Sequence, residues 1–290
     1  MANLKEVRTR IGSVSSTQQI TSAMKMVSAA KFRRAQNAIL GMRPYSAQLN
    51  EIMCDIDLED GVVTPYHEVR KLENVLLVVV TSNKGLCGAF NSNVIKEATA
   101  RIEHYLANEK VKTLSLITIG KRASEFFAKR KDFTIDSYDE LLDKPSFDGV
   151  ATLADKVMED FCNKKFDKIE LVYNQFKNSL VQILTTEQFL PVLPKPQTKG
   201  STTRNDYIYE PSKAEILKEM IPLTLRSHFY RMVLDSLAAE HGARMNAMQK
   251  ATDNATELLK DLKLSYNKAR QAAITNEIIE IVSGSEALKG

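Results

Sequence analysis

The sequence predicts an α/β protein, with a long antiparallel two-helix coiled coil from the N- and C-terminal segments plus a Rossmann-like, mostly parallel α/β domain. Three observations predict this class. Both ends of the 290-residue chain carry apolar residues at helical spacing, the middle carries continuous β-branched runs, and helical segments alternate with those runs. We therefore divide the chain into an N-terminal coiled-coil helix (1–60), an α/β globular domain (70–200) and a C-terminal coiled-coil helix (211–290).

The first helix is predicted over residues 3–43. Apolar residues follow a 3-4 rhythm from Leu4 to Val14, and after the polar stretch SSTQQ they resume it in a shifted phase at Ile20. Such a shift resembles a stutter, at which a supercoil loosens. Gly41 and Pro44 are of residue types that disfavour a helix interior, so they predict a break or kink. A second helical piece is predicted to about residue 58.

The first segment is also the basic part of the chain. Residues 1–43 contain eight Lys or Arg residues and one acid, Glu6, whereas the whole chain has a net charge of +4. Two interpretations remain open: a solvated helix face, or a surface that lies against an acidic polypeptide or a nucleic acid.

The middle of the chain reads as a parallel sheet covered by helices. Continuous β-branched runs are typical of strands that are buried on both faces, and strand-helix alternation favours parallel pairing. A linker rich in Pro, Gly, Thr and Ser follows at 193–206. The predicted strands are 74–82, 113–120, 168–174, 180–192 and a short one at 132–138, and the predicted helices are 92–107, 121–130 and 150–163.

The last helix is predicted from Leu223 to about Val282, with Pro222 in its first turn and Gly284 as its end. About 60 residues at a rise of 1.5 Å make a rod of about 90 Å. Its predicted seam consists of Leu234, Leu237, Met248, Ala251, Ala255, Leu258, Leu262, Ala269, Ala272 and Ile279, interrupted by His241 and Arg244.

The two helices differ in length, which raises a question about the C-terminal end. The first helix is about 60 Å long, so about 30 Å of the last helix must either overhang or pack on the middle domain. That end carries the apolar residues of the stretch YNKARQAAITNEIIEIVSG. An isolated amphipathic end would expose them to water, so we expect it either to dock on another protein or to melt.

The composition excludes several classes of protein. The longest apolar run, VLLVVV at 75–80, is far shorter than the roughly 20 residues of a membrane-spanning helix, and the start MANLKEVRTR lacks the apolar core of a signal peptide. We therefore expect a cytosolic or peripheral protein with no direct membrane span. Three widely spaced cysteines, Cys54, Cys87 and Cys162, fit neither a disulfide framework nor a zinc site, so free thiols are expected.

The stretch TSNKGLCGAFNSN (81–93) lies between a predicted strand and a predicted helix, where a phosphate-binding loop would lie. It lacks both common glycine patterns of such loops and has only Gly85 and Gly88. The favoured interpretation is a tight turn in which Gly88 lets the helix approach the strand, with a structural role for Cys87.

No catalytic or metal-binding constellation is found in the sequence. The four histidines are scattered, and no pair has metal-ligand spacing. We therefore expect no catalytic residue, no cofactor and no metal. Arg244 lies among Ala, Gly and Met residues and needs an acceptor from the partner helix or a neighbouring chain, unless it snorkels from the helix seam. Two tyrosines and Glu210 in RNDYIYEPSKAEIL read either as a docking surface or as a cover over the sheet edge.

Four segments carry a resemblance to a known family. They are RIGSVSSTQQITSAMKMVSAAKFRRAQ, TSNKGLCGAFN, EHGARMNAMQKATDNA and ARQAAITNEIIEIVSGSEAL. Together they resemble the gamma subunits of F-type ATP synthase over essentially the whole chain. Ser285 stands where that family usually has Ala, which is a small departure.

The resemblance implies a rotor shaft. In that family the terminal helices insert into a hexamer of three alpha and three beta subunits, and the α/β domain binds the epsilon subunit and the c-subunit ring. It implies that Arg270, Gln271 and Thr275 are polar contacts to the beta subunits, that Met24 lies near the beta-subunit lever, and that Arg244 helps to hold the shaft to its surroundings. It also implies c-ring contacts, assigned to Tyr207, Tyr209 and Glu210.

The resemblance further implies a non-catalytic subunit at the cytoplasmic face of the bacterial plasma membrane, which couples ion-driven rotation to ATP synthesis and hydrolysis on the other chains. Two alternatives stay open from the residues alone. The β-α-β alternation suits a nucleotide-binding enzyme with coiled-coil arms, and the basic first helix suits a nucleic-acid-binding scaffold, although the resemblance implies no nucleic acid partner.

Overall fold

The computed structural model of the chain describes residues 4–55, 64–108, 111–130, 132–143, 145–192 and 213–287. These residues form two compact units. One unit contains the described parts of residues 1–28 and 245–290, and the other contains those of residues 29–244.

The elements confirm the predicted fold class of long terminal helices around a mostly parallel sheet. The helices are α1 (Leu4–Asp55), α2 (Phe90–Leu106), α3 (Lys121–Phe127), α4 (Phe147–Cys162) and α5 (Lys213–Ala287). The strands are β1 (Asn74–Val80), β2 (Thr113–Ile119), β3 (Thr134–Ser137), β4 (Lys168–Phe176) and β5 (Gln182–Leu190). Short 3-10 turns lie at Pro65–His67 and Asp139–Leu142.

The predicted break at Gly41 and Pro44 is absent, and both predicted ends of the last helix lie inside α5. α1 continues through Gly41 and Pro44, and α5 begins at Lys213, so that Pro222 lies inside it. A proline inside a helix removes one backbone hydrogen bond. Near Pro222 this cost is offset by tertiary packing, because Ile221 and Leu225 belong to the buried core. The predicted stop at Gly284 is also passed.

In the first unit, α1 and α5 pair antiparallel. The Thr252 hydroxyl donates to the Thr21 hydroxyl at 2.9 Å, and Gln18 Nε2 donates to Thr256 Oγ1 at 2.7 Å. From the first contact to the second, the residue number falls from 21 to 18 in α1 and rises from 252 to 256 in α5. The two helices therefore run in opposite directions. The same register places Leu4 opposite Ala269 in this pair.

The predicted stutter in α1 is absent. Buried and half-buried residues in this unit keep one unbroken 3-4 rhythm, in which Gln18, Thr21 and Ser28 occupy the seam. The apolar residues that suggested the phase shift point outward instead, with Ile20 60% exposed and Val27 58% exposed. The full set of seam positions is Leu4, Val7, Ile11, Val14, Gln18, Thr21, Lys25 and Ser28.

The seam of α5 in this unit follows the complementary rhythm. Leu259 is buried, whereas the predicted seam residue Leu258 is 41% exposed and Ile279 is 58% exposed. Leu258 and Leu259 are adjacent in the sequence, and packing against α1 buries Leu259. The seam consists of Met245, Met248, Thr252, Ala255, Leu259, Leu262, Tyr266 and Ala269.

In the second unit, the sheet has the strand order β3-β2-β1-β4-β5. β1 pairs parallel with both β2 and β4, β2 pairs parallel with β3, and β5 pairs antiparallel with β4. Chain order therefore reverses between β1 and β4, because successive strands first add on one side of β1 and then on the other.

Alternating residues of β1 serve two cores on opposite faces of the sheet. Val75, Leu77 and Val79 pack with residues of α2 and α3 on one face. Leu76, Val78 and Val80 pack on the other face with residues of α4 and with the part of α5 from Leu217 to Val233. The alternation explains why β1 reads as an unbroken apolar run.

Two further expectations concern thiols and membranes. Cys87 and Cys162 are free, as predicted, whereas the side chain of Cys54 lies outside the described residues. Among the helices of the described ranges, none combines the length and apolarity that a membrane crossing requires.

Candidate functional site

The loop that follows β1 is held by its own polar side chains. The Ser82 amide donates to Asn91 Oδ1 at 2.9 Å, and the Ser82 hydroxyl donates to the Lys84 carbonyl at 2.6 Å. Asn91 Nδ2 donates to Ser82 Oγ at 2.8 Å and to Cys87 Sγ at 3.2 Å. The structural role expected for Cys87 fits these contacts, because the thiol is buried inside the turn.

Arg244 of α5 binds this loop. Its Nη2 donates to the Lys84 carbonyl at 2.8 Å and to the Gly85 carbonyl at 3.3 Å, and its Nε donates to the Gly85 carbonyl at 3.3 Å. Its Nη1 donates to Glu240 Oε1 at 2.6 Å. The acceptors that Arg244 needs therefore come from its own helix and its own chain, not from a partner helix.

Small residues let α5 approach the loops closely. A Cβ on Gly242 would lie 3.2 Å from the Ser179 carbonyl and 3.5 Å from the Phe32 ring. Ala239 packs with Cys87 and Phe90 in a small buried cluster. Within the second unit, α5 is thus held between the loop after β1, the turn after β4 and the α1 residue Phe32.

Burial and charge shift two pKa values beside Arg244. Burial raises the pKa of Glu240, while the attraction of the Arg244 guanidinium opposes the rise. Burial, together with the positive charges of Arg244 and Lys31, lowers the pKa of His241 to about 4. His241 is therefore neutral at physiological pH, and Nδ1 lies 3.3 Å from Arg244 Nη1.

This arrangement argues against a nucleotide site at the loop. A phosphate site needs free backbone amides, but the amide of Ser82 is bonded to Asn91. The carbonyl oxygens of Lys84 and Gly85 point at the Arg244 guanidinium. Because carbonyl oxygens carry partial negative charge, they would repel a phosphate at this position. Within the described ranges, no group of acidic, histidine and cysteine side chains could hold a metal ion.

The C-terminal end of α5 forms a second candidate site. In the antiparallel register, Leu4 lies opposite Ala269, so α5 continues past the start of α1. Side chains from Ala273 to Ala287 are all exposed, including Ile278 at 55% and Ile281 at 66%. Over about 18 residues the unpaired end extends about 27 Å. This overhang agrees with one of the two predicted arrangements, since in this unit these isoleucines find no apolar cover.

The predicted polar contacts lie at the start of this end. Arg270, Gln271 and Thr275 are exposed, and the Thr275 hydroxyl donates to the Gln271 carbonyl at 2.9 Å. Gln271 and Thr275 are four residues apart and share a helix face. The structure therefore brings these three residues together on one turn and a half of helix.

Met24 lies elsewhere in the same unit. It is half-buried beside the seam, and its carbonyl accepts a hydrogen bond of 2.8 Å from the Ser28 hydroxyl. The register separates it from Arg270 by about 30 Å along the helix pair. Tyr207, Tyr209 and Glu210, predicted to contact the c ring, lie outside the described residues.

Sequence reasoning missed Glu240 and Asn91. The spacing of Glu240 and Arg244 is the i,i+4 spacing of a helical ion pair, so this signal was present in the sequence. No local pattern marks Asn91, whose partners belong to the preceding turn.

Comparisons with known proteins agree with the fold and with the resemblance. The family model described as ATP synthase matches residues 3–288. The ATP synthase gamma chain of Flavobacterium johnsoniae is 53% identical over 292 residues, which cover 100% of both chains. The ATP synthase gamma chain of Chlorobaculum tepidum is 44% identical, again with 100% of both chains covered.

Solved structures show the same fold at lower identity. A chain in the Euglena gracilis mitochondrial ATP synthase has a TM-score of 0.68 at 21% identity, with 98% of this chain and 94% of that chain covered. A chain in the central stalk and c ring of the Tetrahymena thermophila mitochondrial ATP synthase has a TM-score of 0.59 at 24% identity, with 80% of this chain and 99% of that chain covered. Full-length matches at high identity and a shared fold lead to one conclusion: the chain belongs to the ATP synthase gamma chain family.

Proposed function

We propose that this chain is the central rotor shaft of an F-type ATP synthase. It couples ion-driven rotation of a c-subunit ring to the synthesis and hydrolysis of ATP on a hexamer of three alpha and three beta subunits. The observation that carries the proposal is the unpaired end of α5, where exposed isoleucines extend beyond the helix pair. An apolar sleeve formed by other chains would remove this surface from water.

The site residues have separate roles in this proposal. Arg270, Gln271 and Thr275 contact the beta subunits as the shaft turns, and Met24 lies near the beta-subunit lever. Arg244 is 7% exposed, so its influence on the hexamer is transmitted through α5 and the loop that it binds. Tyr207, Tyr209 and Glu210 contact the c ring.

The chain itself is non-catalytic in this proposal, and it holds no cofactor. The carbonyls of Lys84 and Gly85 in the loop after β1 bind Arg244 of the same chain, which supports this assignment over an α/β enzyme with a nucleotide at that loop. The epsilon subunit is a further partner, and the complex lies at the cytoplasmic face of the bacterial plasma membrane. A nucleic acid partner is not part of the proposal, because acidic hexamer surfaces would balance the basic first helix.

The test removes the unpaired end. A chain without residues 270–290 should keep the thermal midpoint of the isolated protein, because the side chains from Ala273 to Ala287 are all exposed. In the assembled complex it should lose most of the coupled ATP synthesis.

Point variants make the test sharper. Ile281→Asp places a charge on the end, and Val69→Asp, at 72% exposure in the other unit, is the matched control. Ile281→Asp should impair coupling while Val69→Asp should not. Full coupled synthesis by both the truncation and Ile281→Asp would refute the role of this end.

A further inference from the structure

The reversal of chain order between β1 and β4 creates a crevice at the carboxyl ends of these strands. In open α/β sheets such a topological switch point is where ligands bind. The loop after β1 (81–89) forms one wall, and the turn after β4 (177–181) forms the other. α2, which follows β1, packs on one face of the sheet, while α4, which precedes β4, packs on the other.

The occupant of this crevice is a helix of the same chain. Arg244 donates three hydrogen bonds to the carbonyls of Lys84 and Gly85 on the first wall. Two residues earlier, Gly242 lies against the Ser179 carbonyl on the second wall. α5 therefore touches both walls within one turn.

The first wall is held by a network of buried hydrogen bonds. The Lys84 carbonyl accepts hydrogen bonds from both Ser82 and Arg244, so the guanidinium is linked through one oxygen to a residue two positions after the end of β1. Ser82 is fully buried and is also bonded to Asn91 at the start of α2. Fully satisfied buried polar networks rigidify the elements that they join.

The apolar contacts of α5 do not replace this constraint. The large core between α5 and the sheet reaches Val233, smaller apolar clusters continue along α5 to Ala239, and hydrophobic attraction has no preferred direction. A planar guanidinium with fixed donors instead specifies both the rotation and the position of the helix.

We infer that Arg244 and Glu240 form a torque-bearing joint at the switch point, where the sheet holds its own C-terminal helix in place of a ligand. Both are positioning residues, and the inference rests on the proposed rotor function. Glu240 orients the guanidinium through the 2.6 Å bond, and the guanidinium fixes α5 to the loop after β1. Rotation of the α/β domain then turns α5 without slippage.

The experiment uses the full chain assembled with the alpha and beta subunits of its own source, with the hexamer fixed to a surface. A bead is attached at Lys71→Cys, since the Lys71 side chain is 78% exposed, in a background with Cys54→Ser and Cys162→Ser. Cys87 stays, because it is buried in the loop. The angular fluctuation of the bead without ATP reports the stiffness of the shaft, and rotation with ATP reports the rotor function.

The variants are Arg244→Ala and Arg244→Lys, with Arg226→Lys as the matched control. Arg226 lies on the same helix, but its ion pair with Asp155 is partly exposed. The variance of the fluctuation should rise about twofold in Arg244→Ala, because the loss of a satisfied buried network loosens the joined elements. It should rise less in Arg244→Lys, which keeps the charge, and stay unchanged in Arg226→Lys.

The outcomes separate the two proposals. If the parent chain rotates with ATP while both Arg244 variants keep its stiffness, the joint is refuted and the rotor stands. If the parent chain does not rotate, the rotor function fails and the joint falls with it. If the Arg244→Ala chain does not assemble, the Arg244→Lys variant tests the joint. A lysine beside Glu240 preserves the charge pair, but it lacks the planar set of donors that the guanidinium has.

Discussion

Replacing Arg244 by Met tests the energetics of the buried cluster. The substitution keeps a long side chain but removes the guanidinium, so Glu240 loses its cation and the Gly85 carbonyl loses its Arg244 donors. Arg244 and Glu240 are 7% and 6% exposed. Removal of one partner from a buried ion pair costs about 3–5 kcal/mol. The same change at the partly exposed Arg226 should cost at most about 1 kcal/mol.

A double-mutant cycle separates the pair from the loop contacts. Glu240→Gln leaves Arg244 bound to the loop carbonyls and should cost about 1–3 kcal/mol. Arg244→Met with Glu240→Gln removes the uncompensated carboxylate, so the double variant should lose less than the sum of the single losses, by about 1–3 kcal/mol.

The cycle also predicts a pH dependence. The pKa of Glu240 is raised by burial, and without Arg244 no nearby attraction of that size opposes the rise. A carboxyl with a raised folded-state pKa contributes stability that is present below its unfolded pKa of about 4.5 and is lost as the pH rises through the folded pKa. Arg244→Met should therefore be less destabilised at pH 5 than at pH 8, and this difference should vanish when Glu240→Gln is added.

The assay is urea unfolding of the full chain, followed by hydrogen exchange of amides in β1 and β4. These strands report on the second unit alone, which matters because a chain of two units need not unfold in one step. The reasoning is refuted if Arg244→Met costs no more than Arg226→Met at both pH values. It is also refuted if its stability change does not depend on pH.

Three further predictions concern other residues. Gly120→Ala should destabilise the second unit by more than about 3 kcal/mol in thermal unfolding, because φ is +114° and the new Cβ would lie 2.4 Å from the Thr81 carbonyl oxygen; Gly41→Ala, with open space at its Cβ, should be neutral or stabilising. Thr21→Val combined with Thr252→Val should stabilise the helix pair by about 1 kcal/mol, because two bonded seam hydroxyls are replaced by apolar groups of the same size; hydrogen exchange over residues 4–28 measures it, and a loss of protection would contradict it. His241→Gln should flatten the pH dependence of stability between pH 6.5 and 4: a lowered histidine pKa contributes stability above pH 6.5 that is lost as the pH falls to about 4, by at most about 3 kcal/mol, and an unchanged slope would count against burial of the neutral ring.

Sequence reasoning reached the fold class because its signals are local. The continuous run at 75–80 predicts a strand that is buried on both faces, without knowledge of its neighbours. In the structure, its residues alternate between two cores. Helical spacing at both ends predicts the two long helices in the same way. The excess length of the last helix followed from residue counts alone, and the overhang matches it.

The ends and interruptions of helices could not be predicted in this way. Gly41, Pro44 and Gly284 carry break or stop signals and Pro222 carries a start signal, yet each lies inside a helix. Local propensity costs about 1 kcal/mol for Gly and about 3 kcal/mol for Pro. Packing of the neighbouring turns can exceed such costs, and that packing is not visible in a short window.

The sequence by itself determined that this chain has a parallel α/β domain and two long terminal helices of unequal length. Only the tertiary structure decided which residues face inward: Thr21 and Ser28 fill the seam while Ile20 and Val27 point outward, because the position of the partner helix selects the seam. It likewise placed Arg244 against carbonyls about 160 positions away in the chain. Periodicity depends on neighbours along the chain, whereas a buried charge finds its partners through the fold.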